Sequence, residues 1–140
     1  MAEQQTADIV IVGGGVIGSS VAYWLGASPD FDGRVVVVER DRTYARASTP
    51  LSAGGIRQQF SIRENIEIGL HARDFLHQAP DLLAVAGERP DLTFREAGYL
   101  ILAGPAGRDI LAENHALQTA CGAAIAWCEP DELARRFPWL

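Results

Sequence analysis

Between Asp8 and Ala22 the chain passes from four apolar residues into a cluster of glycines and straight on into a helix-forming stretch. Ile9 to Val12 carry no charge and end on Gly13. That is the pattern of a short buried parallel strand. Gly13, Gly15 and Gly18 follow as G-x-G-x-x-G. Residues 16–27 read as a helix, with Val16, Ile17, Val21, Trp24 and Leu25 available for packing. Strand, glycine turn and helix arrive in the order that a dinucleotide-binding βαβ unit needs.

Each glycine has its own expected task. Gly13 lets the chain leave the strand in a tight turn, and Gly15 leaves room for a pyrophosphate against the backbone. Gly18, with Ala22 one turn later, lets the helix lie close on the strand. The first helix amides have no internal partners and sit at the positive end of the helix dipole, where a diphosphate is welcome. A second β-branched run, Val35 to Val38, ends on Glu39. This acid lies about twenty residues beyond the glycines, where a carboxylate accepts hydrogen bonds from both ribose hydroxyls of an adenosine. Its charge repels a 2′-phosphate and so argues against NADP.

Composition narrows the remaining classes. The chain has 140 residues and a net charge of −6, which disfavours nucleic acid as a partner. No run approaches the roughly twenty apolar residues of a membrane span. The first residues lack the basic start of a secretory signal, which points to the cytoplasm. Cys121 and Cys128 do not form a C-x-x-C pair and have no histidine at a zinc spacing. Both are expected to be reduced, with no metal role.

A nicotinamide dehydrogenase would usually continue from Glu39 into a helix and a third parallel strand. Here the stretch from Arg40 to Phe60 is rich in small residues, hydroxyls and arginines, with Gly54 and Gly55 adjacent. It reads as a second surface wrapped around a cofactor. The runs from Ile11 to Ala22 and Val37 to Arg40, followed by this segment, resemble the superfamily of FAD enzymes that includes D-amino-acid oxidase, glycine oxidase and sarcosine oxidase. Ala47 to Ser61, together with Arg136 to Trp139, is similar to a branch that includes a respiratory-complex-I assembly factor.

The resemblance implies an α/β fold, in which a Rossmann-like FAD-binding βαβ unit leads into the start of an α+β substrate domain. It implies FAD as cofactor and a small amine or amino acid as substrate. In such enzymes the flavin takes a hydride from the carbon beside a substrate nitrogen, the imine hydrolyses, and oxygen, a quinone or an electron-transfer protein reoxidises the flavin. The implied cofactor contacts are Gly13, Gly15 and Gly18 at the pyrophosphate and Glu39 at the ribose. Arg40 falls near the adenosine and Ser48 near the phosphates. Ser52, Gly54, Gly55 and Ile56 fall near the ribityl chain or flavin ring. Arg57 matches a position where some relatives place a basic residue near the flavin. Alternative readings are a non-catalytic flavoprotein that serves as an assembly partner and, less favoured, an NAD-dependent dehydrogenase.

Downstream, Ser61 and Glu64 fit a capping box before a helix that runs to about residue 79. Its broad apolar face includes Ile62, Ile66, Gly69, Phe75 and Ala79, with Arg73 and His77 at the boundary. None of the three histidines has an evident acid–base partner. Ala86 to Pro90 marks a border between an FAD-binding region, 1–90, and the beginning of a substrate region, 91–140. Residues 92–96 and 99–103 read as a hairpin around Ala97-Gly98. A helix from Gly104-Pro105 to about Ala120 follows, stopped by Gly122. A short strand over 124–128 and a last helix after Pro130 complete the reading. Members of the resembling family are typically much longer, so the chain is expected to be an N-terminal fragment with its catalytic acid or base beyond Leu140. Expressed alone, it is expected to aggregate, dimerise through exposed edges or stay partly disordered, and to bind FAD weakly. Two strands leave both sheet edges open and too little chain to cover the apolar faces.

Overall fold

The computed structural model describes residues 6–140, in two compact units divided between Gly55 and Ile56. The reading of the N-terminus as lacking a basic secretory start rests partly on residues outside those described.

The first unit is a βαβ element. Strand β1 (Ile9–Val12), helix α1 (Val16–Ala27) and strand β2 (Val35–Val38) follow the expected order. The strands pair in parallel, with Ile9 opposite Val35 and Val12 opposite Val38. This register carries the chain beyond β1 alongside the end of β2, and the Gly13 amide donates to the Val38 carbonyl at 2.8 Å. The β-branched runs suit a pleated ladder, and the crossover helix packs against both strands. One expectation fails. Val10 and Val12 are 57% and 86% exposed, so β1 is not the buried strand that its apolar run predicts. Among the described residues of this unit, only one sheet face has a helix to cover it.

The second unit is built on helices α2 (Arg63–Leu82), α3 (Arg108–Ala120) and α4 (Pro130–Arg136). The capping box is not formed. Ile62, not Ser61, occupies the N-cap position of α2, and no side chain caps the helix. Ser61 stands one residue outside, so Glu64 falls at the second helical position instead of the third. The helix also runs past residue 79, through Pro80 to Leu82. Proline removes one amide near the end, where a single lost bond is tolerated, and Leu83 N–H still closes on Ala79 O at 2.9 Å. Ile66, Gly69 and Ala79 are the buried positions of α2. A Cβ on Gly69 would lie 2.5 Å from the Arg57 carbonyl oxygen, so the missing side chain lets the preceding segment cross the helix closely.

Neither predicted strand of the 92–103 hairpin forms, and no ladder joins the two segments among the described residues. The cause is local. Asp91 Oδ1 accepts the Thr93 amide at 2.7 Å, and Thr93 adopts φ +47°. A side chain has thus taken the donor that a ladder needs, at a β-branched residue forced out of the extended region. The bridge that does form joins Val85 to Glu88 around Ala86-Gly87, both at positive φ as in a type I′ turn.

The downstream helix begins as a 3-10 turn at Pro105–Gly107 and continues as α3. Its stop is a Schellman motif, as Gly122 predicts. Gly122 has φ +90°, its amide bonds Thr119 O, and the Ala123 amide bonds Gln118 O, both at 3.0 Å. The Gln118 side chain is buried and donates to Phe60 O at 2.9 Å. The expected strand over 124–128 is absent too. That stretch is held through side chains instead. Arg108 makes a two-pronged ion pair with Glu129 at 2.7 and 3.0 Å, and Trp127 Nε1 donates to the same carboxylate at 2.8 Å. The Arg108 bonds first, and then Trp127, pull the Glu129 carboxyl down to about 2. Pro130 opens α4 at its first turn, as expected.

Candidate functional site

The three motif glycines stand in three different settings. Gly13 has φ +101°, a conformation that L side chains rarely adopt. A Cβ on Gly18 would lie 1.9 Å from the Gly13 carbonyl oxygen and 3.1 Å from Ile11 Cγ2, so that glycine sets the closeness of helix to strand. Gly15 is different. Its backbone is ordinary, at φ −62° and ψ −177°, and a Cβ there would meet no protein atom within 4 Å. Nothing inside the protein explains that glycine. It borders open space at the start of α1, where no side chain caps the free amides.

Beside this turn lies Glu39. Its Oε2 accepts the Gly14 amide at 2.7 Å and its Oε1 accepts the Asp41 amide at 2.8 Å. The Asp41 bond, then the Gly14 bond, holds its carboxyl below the ordinary 4.5. A carboxylate has about four acceptor sites, so acceptor capacity is left for a further donor. The folded chain binds this proton more weakly than the unfolded one. The stabilisation is therefore whole above the ordinary value and is lost as pH falls through the lowered one. As pH falls through the lowered value, the Gly14 and Asp41 amides are expected to lose protection against hydrogen exchange, measured against the intrinsic rate at the same pH. Unchanged protection would show that the carboxylate does not hold the turn.

The segment that follows is organised by short polar bonds. Asp41 Oδ1 accepts the Thr43 amide and hydroxyl at 3.0 and 2.6 Å. Those bonds, the hydroxyl first, hold its carboxyl below the usual range. Arg40 is exposed; its backbone amide and then its charge help to lower the Glu39 carboxyl, and its charge helps to lower that of Asp41. Ser48 is exposed. Ser52 Oγ donates to Thr49 O at 2.8 Å and accepts the Gly54 amide at 3.2 Å, while Gly54 has φ +62°. Gly13, Gly15, Gly18, Glu39, Arg40, Ser48, Ser52, Gly54 and Gly55 all lie in the first unit, and Ile56 and Arg57 in the second. The Arg57 guanidinium carbon stacks 4.5 Å from the Phe60 ring centroid.

Two features escaped the sequence reading. His77 Nε2 lies 3.0 Å from Glu96 Oε1, an acid nineteen residues away that no helical spacing reveals. Both side chains are more than half exposed, so this pair is a weak surface contact. Tyr44 was not singled out either, yet its hydroxyl reaches the glycine turn. Positive φ at a tyrosine leaves no mark in composition. The cysteines are free, with Cys121 at the end of α3 and Cys128 in a segment without regular secondary structure, not a strand. Among the described residues there is no cluster of metal-ligating side chains, and no helix is long and apolar enough to cross a membrane.

The site thus joins unsatisfied helix amides, a side-chain-free approach at Gly15 and an ionised carboxylate at the end of β2. That set suits a diphosphate linked to a ribose. Comparison with known proteins bears on which dinucleotide is meant. The family model described as "FAD dependent oxidoreductase" matches residues 8–140. The chain is 51% identical over 139 residues to FAD-dependent oxidoreductase domain-containing protein 1 of Xenopus laevis, covering 97% of this chain and 28% of that protein. It is 48% identical to the Bos taurus protein of that name, over 97% of this chain and 29% of the relative. The Drosophila melanogaster homolog is 44% identical, over 98% and 26%. The chain therefore spans under a third of the length of these relatives. No solved structure matches it. With the glycine turn, the acid after β2 and the family model all covering the same stretch, the chain belongs to the FAD-dependent oxidoreductase family, and its cofactor is FAD.

Proposed function

We propose that this chain forms the FAD-binding part of an oxidoreductase that oxidises the C–N bond of a small amine or amino acid, of the sarcosine, glycine or dimethylglycine kind. The observation that supports cofactor placement best is Gly15, the one motif glycine whose missing side chain nothing in the protein demands. In this reading residues 1–90 bind FAD and residues 91–140 begin the substrate region. Bound FAD supplies a hydride acceptor, and the protein's part is placement and electrostatics. The α1 amides and Gly15 receive the diphosphate. Glu39 uses its remaining acceptor capacity for the ribose hydroxyls while it holds Gly14 and Asp41.

Glu39→Gln tests that double duty. The amide keeps one acceptor and turns an NH2 towards one of two backbone N–H groups. FAD affinity of the full-length protein is expected to fall about tenfold or more. Equal flavin retention on gel filtration would sink the assignment. The substrate class is tested by mixing flavin-loaded full-length protein with sarcosine, dimethylglycine, glycine or proline under anaerobic conditions and following the flavin absorbance. Bleaching by one of them supports the proposal. A loaded protein bleached by none would favour the reading as an assembly flavoprotein.

A further inference from the structure

Tyr44 is placed in a way that the packing of the first unit does not explain. Its backbone stands at φ +55°, a strained setting for a bulky residue. Two turns pin it there. The Tyr44 amide bonds Asp41 O at 3.0 Å, and the Tyr44 carbonyl accepts the Ala47 amide at 2.9 Å. Asp41 also ties down the Thr43 amide and hydroxyl, and Thr43 Oγ1 accepts the Ala45 amide at 3.3 Å. The result aims the phenol at the glycine turn. A Cβ built on Gly14 would lie 2.9 Å from Tyr44 Oη and 3.3 Å from Glu39 Cβ, so the phenol and the stem of Glu39 border the same position. Tyr44 is 38% exposed.

The hydroxyl has no partner among the described residues. It does not bond Gly14, whose amide is taken by Glu39 and whose carbonyl accepts from Ser19 Oγ at 2.7 Å. A donor thus stands free beside Gly14, the residue whose amide the Glu39 carboxylate accepts.

We infer that Tyr44 is a cofactor-positioning residue whose hydroxyl donates to the ribose–diphosphate part of FAD. The inference rests on the proposed FAD placement at the glycine turn. It adds a neutral donor beside an anionic acceptor: Glu39 takes hydroxyl protons and Tyr44 offers one to a ribose or phosphate oxygen. Asp41 and Thr43 act through it, as the residues that hold the strained backbone.

The test uses apo full-length protein, titrated with FAD and with ADP, which carries the ribose–diphosphate but no flavin. Tyr44→Phe keeps the ring and removes only the donor. It is expected to weaken both ligands about three- to tenfold, with no change in melting of the apo-protein. Tyr44→Ala should weaken them at least as much. Affinities of Tyr44→Phe equal to wild type for both ligands would overturn the inference. So would a loss of affinity accompanied by an equivalent drop in apo-protein melting, which marks a merely structural role. Gly15→Val separates the two levels. If it binds ADP as wild type does, the glycine-turn placement fails and the inference with it. If it loses ADP while Tyr44→Phe does not, only the inference fails.

Discussion

Gly18→Ala is expected to unfold or severely loosen the first unit, with or without cofactor. The new Cβ would sit 1.9 Å from the Gly13 carbonyl oxygen, an atom of the backbone that cannot swing aside. Helix α1 would have to lift off β1 by more than an ångström, and the Gly13–Val38 bond that joins turn to sheet would strain with it. Overpacking of tight interiors costs roughly 1–3 kcal/mol and more where backbone must move, against a net domain stability of about 5–15 kcal/mol. Denaturant unfolding of the apo full-length protein should therefore show a loss of about 3 kcal/mol or more, and flavin should be lost as a consequence. An unfolding midpoint within error of wild type would mean that the helix can stand away from the strand at no cost.

Gly15→Val should behave in the opposite way. Its Cβ would meet no protein atom within 4 Å, and its backbone dihedrals are ordinary for an L residue. Apo-protein stability should change by no more than about 0.5 kcal/mol, as for a surface substitution. The isopropyl group would instead fill the approach to the helix amides. FAD affinity is expected to fall about a hundredfold or more, which leaves full-length protein colourless after purification. A yellow, stoichiometrically loaded variant would show that the phosphates do not approach the backbone at this residue. The two glycines stand three positions apart in one motif, yet one substitution acts on the fold and the other on the ligand.

The sequence by itself determined the elements whose cause is local. The βαβ order, the ends of α1 and β2, the Gly122 stop and the Pro130 start all depend on neighbouring residues, whose backbone preferences and periodicity a reader can count. G-x-G-x-x-G followed by Glu39 likewise marked the candidate dinucleotide site, because its spacing is set by one short helix and one strand. Only the tertiary structure decided the rest. It separated Gly15 from Gly18, which look alike as letters, because the difference lies in which atoms surround the absent Cβ. It brought Tyr44 to Gly14 and His77 to Glu96, contacts across thirty and nineteen residues that no short period encodes. It also removed the strands over 92–103 and 124–128 and the capping box at Ser61. An apolar alternating run becomes a strand only if its amides find a ladder partner. Here the Asp91 side chain claimed one such amide, and Glu129, Trp127 and Arg108 fixed the later stretch through side chains. Hydrogen-bond competition of that kind is settled by where the partners stand in space, and composition carries no record of it.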